Sequence, residues 1–164
     1  MQIIKLNATD STNNYLKQLL MDTALEDFCV VVTNHQTKGK GQMGAEWVSE
    51  KGKNLTFSVL KKEPSIVLPR RFLLSILVSL SIIKTLEAYS VPKLAIKWPN
   101  DILSDHHKIS GILIENIIKS DKIDFSVIKV LSGNSNVEGL SFLNRYVSYS
   151  AFIIPSPFSV YNLK

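Results

Sequence analysis

The sequence predicts an α+β domain: a mixed or antiparallel sheet with helices packed on one face. Three observations lead there. Segments patterned as strand and helix follow one another as β-α-β-loop-β-α-β-turn-β, a short turn joins the last strands as a hairpin requires, and no internal repeat is present. A strictly alternating order would instead favour a parallel, doubly wound sheet.

Each element has its own signal. Ile3, Ile4 and Leu6 read as an opening strand. Asp10-Ser11-Thr12 supplies helix-start chemistry for a helix over 13–21, where Tyr15, Leu16, Leu19 and Leu20 share one face. The β-branched run Val30, Val31, Val32, Thr33 is the next strand. The stretch 36–53 is polar and glycine-rich, with too few apolar residues to pack by itself, and is expected to be a loop. Leu55, Phe57 and Val59 alternate as in a half-buried strand over 54–60, which Lys61-Lys62-Glu63-Pro64 ends.

Pro69 opens a helix over 70–89, whose Phe72, Leu73, Ile76, Leu77, Leu80, Ile83 and Leu86 imply a largely buried cylinder. Leu94-Ala95-Ile96 running into Lys97-Trp98 reads as a buried strand, 104–107 as a turn, and 109–115 as the returning strand around Gly111. After Ile128 the character changes. Residues 129–164 carry one of the fourteen acidic residues (Glu138) but six of the fourteen aromatics and seven serines, with no helical period. A strand over 146–154 is the only element expected there, so the core is placed at 1–128 and a divergent segment, not a separate domain, at 129–164.

Composition narrows the class. A chain of 164 residues with 45% hydrophobic and 20% charged residues is that of one ordinary globular domain. Cys29, the only cysteine, sits in an apolar run and is expected to be a buried, inert thiol. The start has no secretory pattern, and no apolar run is long enough to cross a membrane, so a cytoplasmic protein is expected. The net charge of +5 suits polyanionic ligands without specifying one, and no recognition-helix or zinc-finger pattern points to nucleic acid. His35, His106 and His107 lack further ligands at useful spacing, and no protein-held metal is expected.

Two constellations carry chemistry. Gln36-Thr37-Lys38-Gly39-Lys40-Gly41-Gln42-Met43-Gly44 places three glycines and two lysines between strands, where backbone N–H groups can approach an anion closely. It is neither a Gly-x-Gly-x-x-Gly helix start nor a Walker A loop. Lys97-Trp98-Pro99-Asn100-Asp101, followed by Lys108-Ile109-Ser110-Gly111-Ile112-Leu113-Ile114-Glu115, gathers cations, an amide and a carboxylate around a chain reversal.

Together with Ser11-Thr12-Asn13 and Trp47, these blocks resemble, in order and spacing, the motifs of biotin–protein ligases, over about residues 1–128. The resemblance implies a class II synthetase-like α+β catalytic domain and a two-step reaction. Biotin's carboxylate attacks the α-phosphate of ATP, brought with Mg²⁺, to give biotinyl-5′-AMP and pyrophosphate. A lysine amine of a biotin carboxyl carrier domain then takes the biotinyl group. By the same resemblance Ser11, Thr12, Gln36, Gly39, Lys40 and Gly111 would bind biotin. Lys40, Gly41, Gln42, Trp47, Asn100 and Lys108 would bind ATP, and Lys108, Asp101 and Lys40 would be catalytic, with Lys97 adding charge. Dimers are common in the family, but nothing in the sequence fixes an interface.

Three departures stand out. Lys40 replaces the usual arginine, keeping the charge but losing the planar fork. Gln42 stands where many members carry another arginine. Lys129-Val130-Leu131-Ser132-Gly133-Asn134-Ser135-Asn136-Val137 does not continue the strand that Ser126-Val127-Ile128 begins in the family's Gly-Ile-Gly-x-Asn-Val-Asn manner, so the tail is expected to be divergent or read from a changed frame. With no helix-turn-helix pattern at the start of this sequence, a monofunctional ligase is expected. Two other readings remain: a lipoate or octanoyl transferase of the same superfamily, and a binding protein that has kept the pocket without turnover. Pyrophosphate release with biotin and ATP separates turnover from mere binding.

Overall fold

The computed structural model describes residues 1–62, 66–132 and the backbone of 160–162. The strand expected over 146–154, and Glu63 and Pro64 as strand terminators, lie outside the described residues. The strands are β1 (Ile3–Leu6), β2 (Val30–Thr33), β3 (Gly39–Lys40), β4 (Glu46–Trp47), β5 (Thr56–Lys62), β6 (Leu94–Lys97), β7 (Asp101–Ser104), β8 (His107–Lys119), β9 (Lys122–Ser132) and β10 (Val160–Asn162). The helices are α1 (Thr12–Asp22) and α2 (Phe72–Ala88).

Eight strands form one mixed sheet in the order β10-β1-β2-β5-β9-β8-β7-β6, and β3 and β4 form a separate two-stranded hairpin. β1 is parallel to β2 and β10, and every other pairing in the large sheet is antiparallel. Parallel neighbours need a crossover, and α1 supplies it between β1 and β2. Two tight turns set the register of the long antiparallel strands. Asp105 and His106, then Ser120 and Asp121, adopt φ of 47°, 68°, 48° and 63°, the left-handed pairs that match the strand twist in two-residue hairpins.

The α+β class and the mixed sheet stand as expected, but the helices divide between the two faces. Successive strand residues point to opposite sides. Val127 packs with Leu60, Val31, Ile4 and Leu16 beneath α1, while Ile128 packs with Ile112, Ile102 and Leu74 beneath α2. Cys29 is fully buried beside Leu16, and burial, aided by Glu26, pushes its thiol above the usual range, as an inert core cysteine should behave.

Four expectations need correction. The stretch 36–53 contains the β3–β4 hairpin, closed by backbone hydrogen bonds rather than by an apolar core. β6 is an exposed edge strand, not a buried one, because it pairs only with β7. β9 runs on through Lys129 to Ser132, held by ladders to both β5 and β8 across the point where the sequence pattern fades. Helix α2 buries Leu74, Ser79 and Leu86 but leaves Phe72, Leu73, Ile76, Leu77 and Leu80 exposed. A helix apolar all round reads as buried from its pattern, yet the described residues meet only one of its faces.

Leu16 has no exposed surface and locks α1 to the sheet. Leu16→Ala is expected to lower stability by about 2–5 kcal/mol, measured by denaturant unfolding, because a rigid sheet cannot collapse into the void.

Candidate functional site

The start of α1 is built from polar residues that face inward. Ser11, Thr12 and Asn13 are all buried. The Ser11 hydroxyl makes no capping bond. Instead the Thr12 N–H, an orphan donor of the first turn, donates to Gln36 Oε1 at 3.1 Å. The hydroxyl of Ser58 on β5 donates to Asn13 Oδ1 at 2.6 Å and lies 2.8 Å from Thr12 Oγ1. Gln36 Nε2, also buried, has no hydrogen-bond partner among the described residues.

The glycine hairpin leans on this cluster. Gly39 is paired with Trp47, and a Cβ at position 39 would overlap the Trp47 carbonyl oxygen and come within 2.6 Å of Gln36 Nε2. Past the turn, the Trp47 ring lies directly on Gly111 of β8, where a Cβ would overlap the ring. Position 111 therefore admits no side chain while the indole is in place.

The third part comes from β7 and β8. Asp101 and Gly111 are register partners. Lys108 extends from β8 so that its Nζ lies 4.0 Å from the Trp47 ring centroid and 2.7 Å from Asp101 Oδ1. That oxygen has no well-aligned hydrogen bond, so the pair is a charge contact rather than a directed bond. Asn100 is pinned to β8 at both ends: its carbonyl accepts from the Ile112 N–H at 2.9 Å, and its Nδ2 donates to the Ile112 carbonyl at 3.2 Å. Gly41, Gln42, Trp47, Asn100, Asp101 and Lys108 line a cleft of about 400 Å³.

A second set of charges lies on the α1 side of the sheet, with Glu115 and Lys17 half-buried and Lys129 buried. Glu115 accepts from Asn13 Nδ2 at 2.6 Å and from Lys17 Nζ at 2.9 Å. Burial alone would raise its carboxyl, but these two donors, with the Lys17 and Lys40 charges, hold it below the usual carboxylate range. Lys129 on β9 is 2% exposed, and its Nζ donates to the Lys40 carbonyl oxygen at 3.1 Å. Burial pulls its amine down to about 8 against the opposing attraction of Glu115. Among the described residues no group of three His, Cys, Asp or Glu is arranged to hold a metal.

The residues singled out from sequence thus fall on neighbouring surfaces. Ser11, Thr12, Gln36 and Gly39 share the buried polar cluster, while Gly41, Gln42, Trp47, Asn100, Asp101 and Lys108 frame the cleft, with Gly111 beneath the Trp47 ring. Lys40 takes part through its backbone, its own side chain being exposed. Lys97 is exposed on the edge strand. Lys129 was missed, although a lone lysine within Val127-Ile128-Lys129-Val130-Leu131 is a legible signal of a buried charge.

A profile of the biotin/lipoate A/B protein ligase family matches residues 6–134. The chain belongs to that family. The biotin–[acetyl-CoA-carboxylase] ligase of Paracoccus denitrificans is 34% identical over 113 residues, 68% of this chain and 45% of that protein. A biotin protein ligase from Aquifex aeolicus, solved with biotin and ATP, superposes with a TM-score of 0.59 at 29% identity, over 80% of this chain and 52% of that one. The biotin acetyl coenzyme A carboxylase synthetase of Helicobacter pylori, solved with biotinylated ATP, gives a TM-score of 0.68 at 18% identity over 93% of this chain and 75% of that one, a likeness of fold. The chain spans less than half of the length of the curated relatives it matches, from 17% of the human biotin–protein ligase to 45% of the Paracoccus denitrificans ligase. The family match extends past Ile128, in keeping with the continuation of β9.

Two outcomes are expected. Gly111→Ala in a Trp98→Phe background should displace the remaining indole, read as a shift in tryptophan emission. Lys129→Met removes a charge whose folded pKa lies below the ordinary 10.5. Between about 8 and 10.5 the unfolded chain then binds more protons than the folded one, so native stability rises with pH across that window. Lys129→Met should abolish that rise and add about 1–3 kcal/mol of stability at pH 7, measured by thermal unfolding against pH.

Proposed function

We propose that this chain carries the activating core of a biotin–protein ligase, which joins biotin to AMP from ATP and passes the biotinyl group to a lysine of a biotin carboxyl carrier domain. What supports this reading is the meeting of Lys108, Asp101, Asn100, Trp47 and Gly41 at one cleft, although they come from separate segments of the chain. Such convergence of a cation, a carboxylate and close backbone is what condensing two anions requires.

In the first step a carboxylate oxygen of biotin attacks the α-phosphorus of ATP, and the bond to pyrophosphate breaks. Both reactants are anionic, so their repulsion and the charge developing at phosphorus must be offset by groups already in place. Lys108 is the ammonium for that task. Its contacts with Trp47 and Asp101 restrict it before substrate arrives, which lowers the ordering cost of binding. Gly41, Gln42, Asn100 and Trp47 take the nucleotide side, with Lys40 above them; magnesium enters with ATP and keeps much of its water.

Ser11, Thr12, Gln36, Gly39 and Gly111 take the biotin side. A ureido head loses water on entry and must regain its hydrogen bonds, and the unpartnered Gln36 Nε2 is a donor suited to its carbonyl. In the second step the acceptor amine attacks the acyl carbon, AMP departs, and Asp101 is placed beside Lys108 to take the proton that the amine sheds. The setting is the cytoplasm, a reading supported by the buried lone thiol and by the absence, among the described residues, of a helix long and apolar enough to cross a membrane.

Transfer of biotin to a carrier domain with ATP and Mg²⁺, run beside Lys108→Ala, tests the reading. The variant should lose roughly 10²-fold or more in rate, the scale of a lost charge-stabilising group. Undiminished transfer by Lys108→Ala, or no pyrophosphate release by the unsubstituted protein, would exclude it.

A further inference from the structure

The most anomalous group in the molecule is Lys129. It stands three residues before the end of β9, between Ser58 of β5 and Leu113 of β8, where it is paired on both sides and 2% exposed. A buried ammonium is costly unless its three N–H donors are satisfied. Among the described residues its ammonium makes one bond, to the Lys40 carbonyl oxygen of the glycine hairpin. Glu115, the one acidic group whose charge reaches it, already accepts from Asn13 and Lys17.

Gln36 Nε2 repeats the pattern close by. It is buried, lies against Gly39 next to Lys40, and has no partner among the described residues. The inner wall of the site is therefore rich in donors and short of acceptors. A surplus of buried donors is satisfied by a ligand that brings oxygens.

Space limits how such a ligand enters. Lys129 shares with Lys40, Gly41, Trp47, Asn100 and Gly111 a narrow cavity of only about 10 Å³, which adjoins the wider cleft at Gly41, Gln42, Trp47 and Asn100. A ligand can reach this wall only if the lysine gives up its bond to the hairpin.

We propose that Lys129 is a ligand-binding residue of this site, whose ammonium exchanges the Lys40 carbonyl oxygen for an acceptor oxygen of the acid being activated. The inference rests on the proposed ligase reading and adds to it a cation distinct from Lys108: Lys108 lines the wide cleft and Lys129 the narrow cavity that adjoins it. The acceptor oxygen belongs either to the carboxylate or to the ureido head, and both are oxygens of one ligand.

Calorimetric titration of the whole chain with biotin, with biotin methyl ester and with ATP decides the matter, using the unsubstituted protein, Lys129→Met and Lys129→Arg. Lys129→Met keeps the length of the side chain and removes its donors. It should weaken biotin binding about tenfold or more and leave ATP binding unchanged, which also shows that the fold is intact, while Lys129→Arg should retain more biotin affinity than Lys129→Met. An equal loss for biotin and its ester places the contact on the ureido oxygen, and a loss for biotin alone places it on the carboxylate. Binding by Lys129→Met as tight as, or tighter than, that of the unsubstituted protein overturns the inference, since the lysine would then merely fill space that the ligand needs. No biotin binding by the unsubstituted protein overturns the ligase reading itself, and the inference with it.

Discussion

The Trp47 ring resting on the backbone of Gly111 is the contact on which the geometry of the cleft depends. It ties a hairpin with little apolar content of its own to the longest strand of the sheet. The same ring then forms a surface for the Lys108 ammonium, whose other neighbour is Asp101. One missing Cβ thus sets the height of the hairpin above the sheet, and through it the positions of a cation and a carboxylate.

The inner wall is governed by a different constraint, the cost of burying charge. Glu115 answers it in the ordinary way, surrounded by Lys17 and Asn13 so that its carboxylate is better held than in water. Lys129 answers it incompletely, with one backbone acceptor and a distant countercharge. Both residues rise from the face of the sheet that α1 covers, and α1 contributes Thr12, Asn13 and Lys17 to the same network. The helix start thus serves the site more than it serves its own cap.

Much of the site was legible in the sequence because its residues come as contiguous blocks with turn chemistry built in. Gly39 and Gly41, the Asn100-Asp101 pair and Lys108 each sit where local backbone rules already place them, at a hairpin or a chain reversal. What misled was hydrophobic content read without partners. Leu94-Ala95-Ile96 is apolar yet forms an exposed edge, and α2 is apolar around its whole circumference yet meets the described sheet along one face. A periodic pattern reports which residues avoid water, not how many neighbours the fold will supply.

By itself the sequence determined the α+β class, the order of most elements and the identity of the motif residues, because strand alternation, helical spacing and turn residues are local properties of the chain. Tertiary structure alone decided which segments meet: that Trp47 covers Gly111, that Gln36 caps a helix twenty-four residues before it, that the helices divide between the faces, and that β9 continues to carry a lysine into the interior. These outcomes depend on sheet order and register, which arise from long-range pairing, and no local pattern contains the distance between residues that the chain brings together only when the sheet closes.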